Sequence, residues 1–128
     1  MYPWGDEADP DAANYAATGV GRISPVGCFP RGKSEPYGVL DMSGNVWEWT
    51  RSHWGKDLMS ADRTDRYVAG SETEDLNAPN EVLRVLRGGA FDLDARLVRC
   101  SARGWYHPDG RGDLVGFRVA VSPFVSDP

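Results

Sequence analysis

Two stretches of the chain alternate large apolar and polar side chains with the period of a β-strand. The first follows the Gly44-Asn45 turn in YGVLDMSGNVWEWT, where Trp47 and Trp49 alternate with Val46, Glu48 and Thr50. The second is EVLRVLRGGAF, residues 81–91, in which the alternation stops at two consecutive glycines. Alternation with a period of two predicts a strand in each stretch, and the glycine pair predicts a bend at the end of the second.

The remaining stretches give weaker signals. ARLVRCSAR (95–103) and LVGFRVAVS (114–122) are candidate strands, and GWYHPDGRGD (104–113) between them is rich in turn residues. DAANYAAT (11–18) predicts one or two helical turns, while the polar, poorly periodic residues 52–82 predict a long surface excursion. Short strands joined by long irregular loops, with little helix, predict a compact, loop-rich α+β domain.

Composition supports this picture and excludes several function classes. A length of 128 residues predicts a single domain, 1–128, and 15 Gly with 9 Pro argue against a helical bundle. The net charge of -5 argues against a general nucleic-acid surface, although residues 84–118 are locally basic. Because no apolar run reaches the length of a membrane span, and the N-terminus lacks the pattern of a signal peptide, neither is expected.

The residues that commonly carry catalysis or bind metal do not form a recognisable set. Cys28 and Cys100 are far apart and belong to no CxxC motif, so a zinc site is not predicted. We expect two buried free thiols, while a disulfide between them remains the alternative. His53 and His107 have no third partner for a facial iron triad, and no Ser/His/Asp arrangement is evident.

The order of several motifs resembles the formylglycine-generating (sulfatase-modifying) enzyme family. The motifs are YPWGDE, PVGCFPRG, YGVLDMSGNVWEWT, RVLRGGAF, RCSAR and GFRVA, and together they span most of the chain. The resemblance implies a variant of the C-type-lectin fold, and it implies that the part which precedes YPWG in the family is missing here. Trp47, Trp49, Phe91 and Phe117 are then expected in the core. Arginines of this framework are expected to bind carbonyl and carboxylate groups: Arg87, Arg99, Arg103 and Arg118.

The same resemblance provides a test for enzymatic activity. Formylglycine-generating enzymes use a copper-binding pair of cysteines between the RGG and RC motifs, where this chain has AFDLDARLV. Because carboxylates cannot replace thiolates as soft copper ligands, neither copper nor cysteine oxidation is predicted, and we expect a protein that is not an enzyme. The stretch RGWYHPDGRGDLVGFR also weakly resembles the end of the sulfoxide synthases of thiol-histidine biosynthesis. An enzyme of the family with altered chemistry therefore remains the alternative.

A structural calcium ion is the one metal that the resemblance implies. By position, Asp41 and Glu48 would supply carboxylates, and Gly44 and Val46 would supply backbone carbonyls. The alternative is that Glu48 pairs with an arginine and Asp41 caps the turn.

The segment from about 91 to 115 resembles the variable region of a particular class of proteins. Diversity-generating retroelements mutate the genes of these proteins at adenines. An AAC codon changed only at adenines encodes Asp, Leu, Gly, Tyr or His but never Lys, Glu, Gln or Met, and the latter four are absent from residues 91–114. Trp105 stands where the pattern has Arg, and a single adenine change converts the Arg codon AGG into the Trp codon TGG. The positions that match the variable sites are Asp92, Leu93, Asp94, Leu97, Gly104, Tyr106, His107, Asp109, Gly110, Gly112, Asp113 and Leu114.

These residues and Trp105 predict a ligand-binding surface, because aromatic groups among small polar residues are typical of adaptable binding sites. We expect a non-catalytic domain that displays this surface to a protein or other macromolecular ligand. The alternatives are an enzyme of the family, as above, and an accessory module of a larger protein. The sequence does not indicate the ligand, the oligomeric state or the cellular location.

Overall fold

The protein is an irregular chain built around one small curled sheet. The structure is a computed structural model that describes residues 1–55 and 75–121. Its strands are β1 Trp47–Gly55, β2 Leu83–Arg87, β3 Gly104–Tyr106 and β4 Val115–Gly116, and its helices are two 3-10 turns at Ala16–Thr18 and Pro30–Gly32. The prediction of a loop-rich α+β fold with short strands and little helix is confirmed. Among the described residues, no helix has both the length and the apolar character needed to cross a membrane.

The sheet has four strands in the order β3-β2-β1-β4. β2 is antiparallel to both of its neighbours, with Trp49 opposite Leu86 and Leu86 opposite Gly104. β4 runs parallel to β1 and places Val115 beside Trp47. The sheet therefore brings β4 and the residues just after it next to the GNVWEW segment, although some 70 residues separate them in sequence.

The two strands with the clearest alternation are confirmed, and the weaker candidates differ from expectation. Residues 95–103 form turns instead of a strand, because their backbone groups bond locally, as Leu97 N to Asp94 O at 3.0 Å and Ala102 N to Arg99 O at 2.9 Å. The edge of β2 is taken by β3, in the stretch 104–113 that was predicted to be rich in turns. Of the strand predicted over 114–122, residue 122 lies outside the described part of the chain, and within 114–121 the strand is limited to the two residues of β4.

The predictions for the irregular parts of the chain have mixed outcomes. The helical turn expected in 11–18 is a 3-10 turn, which a left-handed Gly19 ends. The excursion predicted over 52–82 begins later, since β1 continues to Gly55, and residues 56–74 of that excursion lie outside the described part of the chain.

The core lies between the N-terminal segment and the turn that precedes β3. Tyr2, Ala13, Tyr15 and Val98 form one buried cluster, with Trp4 and Ala95 packed against it. Burial raises the pKa of the Tyr15 hydroxyl, and charge interactions with the neighbouring Tyr2 and Asp9 raise this pKa further. On β2, one of the two inner strands of the sheet, the side chains of residues 83–86 are buried.

Some expectations about burial are wrong. Phe117 is 76% exposed, because it follows the two-residue edge strand β4 and the described residues do not cover it. Trp47, Trp49 and Phe91 are partly buried. Cys28 and Cys100 are free, as expected, but both are exposed instead of buried.

Asn45 joins segments that are distant in sequence. Its side-chain Oδ1 accepts hydrogen bonds from Ser24 N at 2.8 Å and from Asn14 Nδ2 at 3.1 Å, and its Nδ2 donates to Ser24 O at 3.2 Å. Its backbone NH donates to Asn14 O at 2.8 Å, and its carbonyl accepts from Phe91 N at 3.0 Å. The residue has a φ of 68°, a left-handed conformation that asparagine tolerates better than most residues. Asn45 thus ties the N-terminal loops to the start of the predicted variable segment.

Candidate functional site

The backbone of the segment 91–100 is held by the N-terminal part of the chain. Ala16 N donates to Leu93 O at 3.0 Å, and Tyr2 Oη donates to Ala95 O at 3.0 Å. Gly88 and Gly89 at its start both have positive φ, as the predicted bend requires, and a side chain at Gly89 would clash with the backbone of Leu97. Backbone hydrogen bonds and the buried Val98 therefore position this segment.

The predicted ligand-binding residues all have at least partial exposure, with Trp105 37% and Leu97 41% exposed. Those that are partly exposed are Leu93, Gly104, Tyr106, Gly110 and Leu114. The exposed ones are Asp92, Asp94, Leu97, Trp105, His107, Asp109, Gly112 and Asp113. None of these side chains is part of the buried core, so the surface is accessible, but its role in binding stays a prediction.

An open cavity of about 540 Å³ lies between β3 and the chain that enters β4. The residues that line it are Trp47, Leu86, Gly104, Trp105, Tyr106, Gly112, Asp113, Leu114 and Val115. The walls are mainly apolar and aromatic, and Asp113 is the one charged residue among them. An apolar concave surface with one ionisable group is the usual composition of a ligand-binding site.

Tyr106 organises the loop beside this cavity. Its hydroxyl donates to Arg111 O at 3.1 Å, and its ring lies 6.2 Å from the ring of Trp49, tilted by 52°. Its ring also occupies the space into which a side chain at Gly110 would extend. Tyr106 therefore fixes the loop that carries His107, whereas the sequence had suggested that it was only one of several exchangeable residues.

The structure brings only part of the predicted surface together. Gly104, Trp105, Tyr106 and the residues 112–114 line the cavity, while His107, Asp109 and Gly110 lie in the adjoining turn. The remaining predicted residues, Asp92, Leu93, Asp94 and Leu97, are not among the residues that line the cavity.

Asp94 is engaged within its own turn. Its Oδ2 accepts from Arg96 Nη2 at 2.9 Å, and its Oδ1 accepts from Arg96 N at 2.8 Å. These hydrogen bonds from Arg96 lower the pKa of the Asp94 carboxyl below its ordinary value. Both side chains are exposed, so a ligand that contacts this turn would meet a local ion pair and not an isolated carboxylate.

Sequence reasoning missed the cavity residues Trp47, Leu86 and Val115, which it treated as framework. The pairing explains their place: Leu86 lies opposite Gly104, and Val115 lies beside Trp47. A Cβ built at Gly104 would lie 3.4 Å from the Trp47 ring, an ordinary contact distance, so Gly104 packs beside that ring. The alternation in β1 was a signal that Trp47 and Trp49 share a face, but not that this face borders the variable segment.

Arg87 and Arg99, two of the framework arginines, bind carbonyl groups, as expected, while Arg103 contacts an aromatic ring instead. Arg87 Nη1 donates to Ala102 O at 2.8 Å, and Arg99 Nε donates to Arg96 O at 3.1 Å. Arg103 stacks over the Trp54 ring at 5.2 Å, a cation–π contact. Burial, and then the nearby charge of Arg103, lower the pKa of Arg87.

The residues predicted to bind calcium are engaged with other groups. Both carboxylate oxygens of Glu48 accept from Arg118, at 2.6 and 2.7 Å, and Asp41 Oδ2 accepts from Gly27 N at 2.8 Å. The NH of Gly44 donates to Gly88 O at 2.7 Å. Because the positively charged guanidinium of Arg118 already occupies the Glu48 carboxylate, a calcium ion does not fit at the same place.

Calcium binding by Asp41, Gly44, Val46 and Glu48 therefore stays an untested prediction, which this arrangement disfavours. Among residues 1–55 and 75–121, no three His, Cys, Asp or Glu side chains converge as metal ligands would.

Comparison with known proteins identifies the family. The profile of the Sulfatase-modifying factor enzyme 1-like domain matches residues 1–123. The hercynine oxygenase of Mycolicibacterium thermoresistibile is 37% identical over 124 residues, which cover 93% of this chain and 26% of that protein. This chain therefore spans about a quarter of the length of that relative.

Two solved structures have a similar fold. PvdO from Pseudomonas aeruginosa superposes with a TM-score of 0.59 at 29% identity, over 91% of this chain and 42% of that chain. Treponema denticola variable protein 1 superposes with a TM-score of 0.54 at 24% identity, over 84% of this chain and 34% of that chain. The second likeness shows the fold alone. These matches confirm the fold class that the motifs implied.

The expectation that the chain is not an enzyme is wrong. Hercynine oxygenases, which are enzymes, are 35% identical to it in Mycobacterium tuberculosis and 38% identical in Mycolicibacterium smegmatis, over 93% of the chain in both cases. The missing cysteine pair argues only against one reaction, thiolate–copper oxidation, and one scaffold can support different reactions. The match over residues 1–123 and the fold shared with PvdO lead to one conclusion: this chain belongs to the sulfatase-modifying factor family.

Proposed function

We propose that this chain is a ligand-binding domain of the sulfatase-modifying factor family, with its binding surface centred on residues 104–114. The observation that carries the proposal is the cavity of about 540 Å³, whose lining combines the rings of Trp47 and Trp105 with Asp113. Large aromatic groups at an accessible, concave site bury much area at a low cost in side-chain entropy. The turn at Asp92–Leu97 provides a second, separate exposed region.

Trp105 is the best probe of this surface. It is 37% exposed and lines the cavity, and its neighbour Tyr106, unlike Trp105, supports the loop through its hydroxyl. Replacing Trp105 by Ala therefore removes binding area with little effect on the loop. Tyr37, which is 83% exposed and does not line the cavity, provides the matched control.

The test is a selection of peptide ligands from a random library on the immobilised chain. We expect the recovered peptides to bind the Tyr37→Ala variant normally and to bind the Trp105→Ala variant about tenfold or more weakly. Both variants should keep a melting temperature close to that of the unchanged chain. Peptides that bind both variants equally, or a selection that yields no specific peptide, would refute the proposal.

The finer proposal is that residues 91–115 are diversified by a retroelement. It is supported by the residue types at the matching positions, all of which adenine changes in AAC or AGG codons can produce. A near-copy of this coding segment that differs only at adenines, close to a reverse-transcriptase gene, is the expected genomic observation. A near-copy with substitutions at all four bases, or no copy beside the gene, would contradict it.

A second candidate function follows from the identity to hercynine oxygenases. In this candidate, the chain forms part of a longer oxygenase, and the cavity contacts the substrate. The supporting observation is the 37% identity over 124 residues, since the chain corresponds to only 26% of that relative. Titration of the ¹⁵N-labelled chain with hercynine should shift amide resonances of residues 104–115. Shifts confined to other residues, or no shifts at millimolar hercynine, would argue against this candidate.

A further inference from the structure

The cavity has a composition that selects one type of side chain. We propose that it binds a lysine or arginine side chain presented by a protein or peptide partner, with Asp113 as the residue that recognises the positive charge. The proposal rests on the ligand-binding function proposed above and specifies the chemistry of the ligand.

The walls of the cavity match the long apolar part of a basic side chain. Leu86, Leu114 and Val115 supply aliphatic contacts, and Trp47 and Trp105 supply aromatic rings. Lysine and arginine bury their methylene stems against such surfaces while the charged end stays near water. An ammonium or guanidinium group also gains from contact with the face of a tryptophan ring.

The polar groups at the cavity favour a cation over other ligands. Asp113 is the one charged residue in the lining, and in the described ranges it forms no salt bridge. Of the other polar side chains in the lining, Tyr106 already donates its hydroxyl to Arg111 O, and the indole NH groups of Trp47 and Trp105 cannot accept a hydrogen bond. A neutral apolar ligand would gain nothing from the carboxylate, and an anionic ligand would be repelled by it.

None of the arginines in the described ranges forms a salt bridge with Asp113, including Arg111, two residues before it in the sequence, and several are engaged with other groups. Arg118 is paired with Glu48, and Arg96 is paired with Asp94. Arg103 lies over Trp54.

Exposure limits the strength of the interaction. Asp113 is exposed, so water and salt screen its pairing with a cation, and we expect the carboxylate to contribute about a fivefold gain in affinity. The aromatic and aliphatic walls contribute the rest of the binding. The proposal therefore predicts weak binding of a single side chain and stronger binding of a peptide that also contacts the surrounding surface.

The experiment compares blocked amino acids that differ in charge. N-acetyl-lysine, N-acetyl-arginine, N-acetyl-norleucine and N-acetyl-glutamate methylamides are titrated into the ¹⁵N-labelled chain, and amide shifts at residues 104–115 give the affinities. We expect the lysine and arginine compounds to bind more tightly than norleucine, and glutamate to bind least. Asp113→Asn should weaken the two basic compounds about fivefold and leave norleucine unchanged.

Asp109→Asn is the matched control, since Asp109 is an exposed aspartate of the same segment that does not line the cavity. It should leave all four affinities unchanged. If norleucine binds as tightly as lysine, or if the two variants behave alike, the charge preference is wrong while the binding surface stands. If none of the compounds shifts these resonances, the proposed binding of a lysine or arginine side chain in the cavity is wrong as well. The binding surface itself is then judged by the Trp105→Ala comparison.

Discussion

The guanidinium of Arg118 donates from Nε and Nη2 to the two carboxylate oxygens of Glu48, at 2.6 and 2.7 Å, across 70 residues of sequence. The same side chain donates from Nη1 to Leu40 O at 2.9 Å and from Nη2 to Asp41 O. One arginine thus joins the segment after β4 to β1 and to the loop before it. In a fold with few strands, such contacts replace part of the backbone hydrogen bonding that a larger sheet would provide.

Arg118→Ala should destabilise the protein by about 1–3 kcal/mol, because it leaves a partly buried carboxylate and two carbonyls without their donor. The measurement is the free energy of unfolding in urea. Arg31→Ala is the control, since Arg31 pairs with Asp9 and Asp11 on the surface, and it should cost less than about 1 kcal/mol. Equal effects of the two changes would show that the Arg118 contacts are not important for stability.

Asn45→Ala should cost about 3 kcal/mol or more, because Ser24 and the buried Asn14 lose hydrogen-bond partners. Asn45→Gly loses the same side chain but accommodates the positive φ, so it should be more stable than the alanine variant by about 1 kcal/mol. Chemical denaturation of the two variants tests both effects. An alanine variant as stable as the unchanged protein would contradict the role assigned to Asn45.

Gly110→Ala should displace the Tyr106 ring and destabilise the protein by about 1–3 kcal/mol, because the added methyl overlaps that ring. At Gly112 the nearest atom to an added methyl is Tyr106 Oη at 3.7 Å, so Gly112→Ala should have a much smaller effect. Near-ultraviolet circular dichroism and thermal unfolding provide the measurements.

The destabilisation caused by Gly110→Ala should depend on the ring of Tyr106. Combined with Tyr106→Ala, the Gly110→Ala change should cost less than it does alone, since the clash has been removed. Additive effects would indicate that the two positions vary independently.

Chelation of calcium should leave the melting temperature of the protein unchanged, because Arg118 already neutralises Glu48 and supplies the hydrogen bonds that a cation would replace. Thermal unfolding with added calcium and with a chelator tests this. A rise in melting temperature with calcium that disappears in the Glu48→Gln variant would instead support the calcium site.

The Asp94 carboxyl should titrate below its ordinary pKa, and Arg96→Ala should raise that pKa toward the ordinary value. Since the folded-state pKa is depressed, the stabilising contribution of Asp94 is present above the unfolded-state pKa and is lost as the pH falls through the folded-state pKa. Both groups are exposed, so this contribution is small. Carboxyl ¹³C shifts measured against pH provide the test, and an unchanged Asp94 titration in the Arg96→Ala variant would contradict it.

The sequence by itself determined the elements whose signals are local. The alternation in β1 and β2 depends only on the two-residue period of a strand, and the Gly88-Gly89 bend depends only on the lack of a Cβ. The exposure of the segment around Trp105 was likewise predictable from its turn-forming and polar residues. The ordered motifs also indicated the family, although they did not justify excluding an enzyme.

The tertiary structure alone decided which distant residues meet. Residues 95–103 contain apolar side chains at strand-like spacing, yet β3 takes the place beside β2 and Val98 enters the core from a turn. The partner of Glu48 and the contribution of Trp47 to the cavity follow from the parallel pairing of β4 with β1. Local pattern favours a conformation for a segment, but whether the segment adopts it and which segments it contacts depend on how the whole chain packs, which no short stretch of sequence encodes.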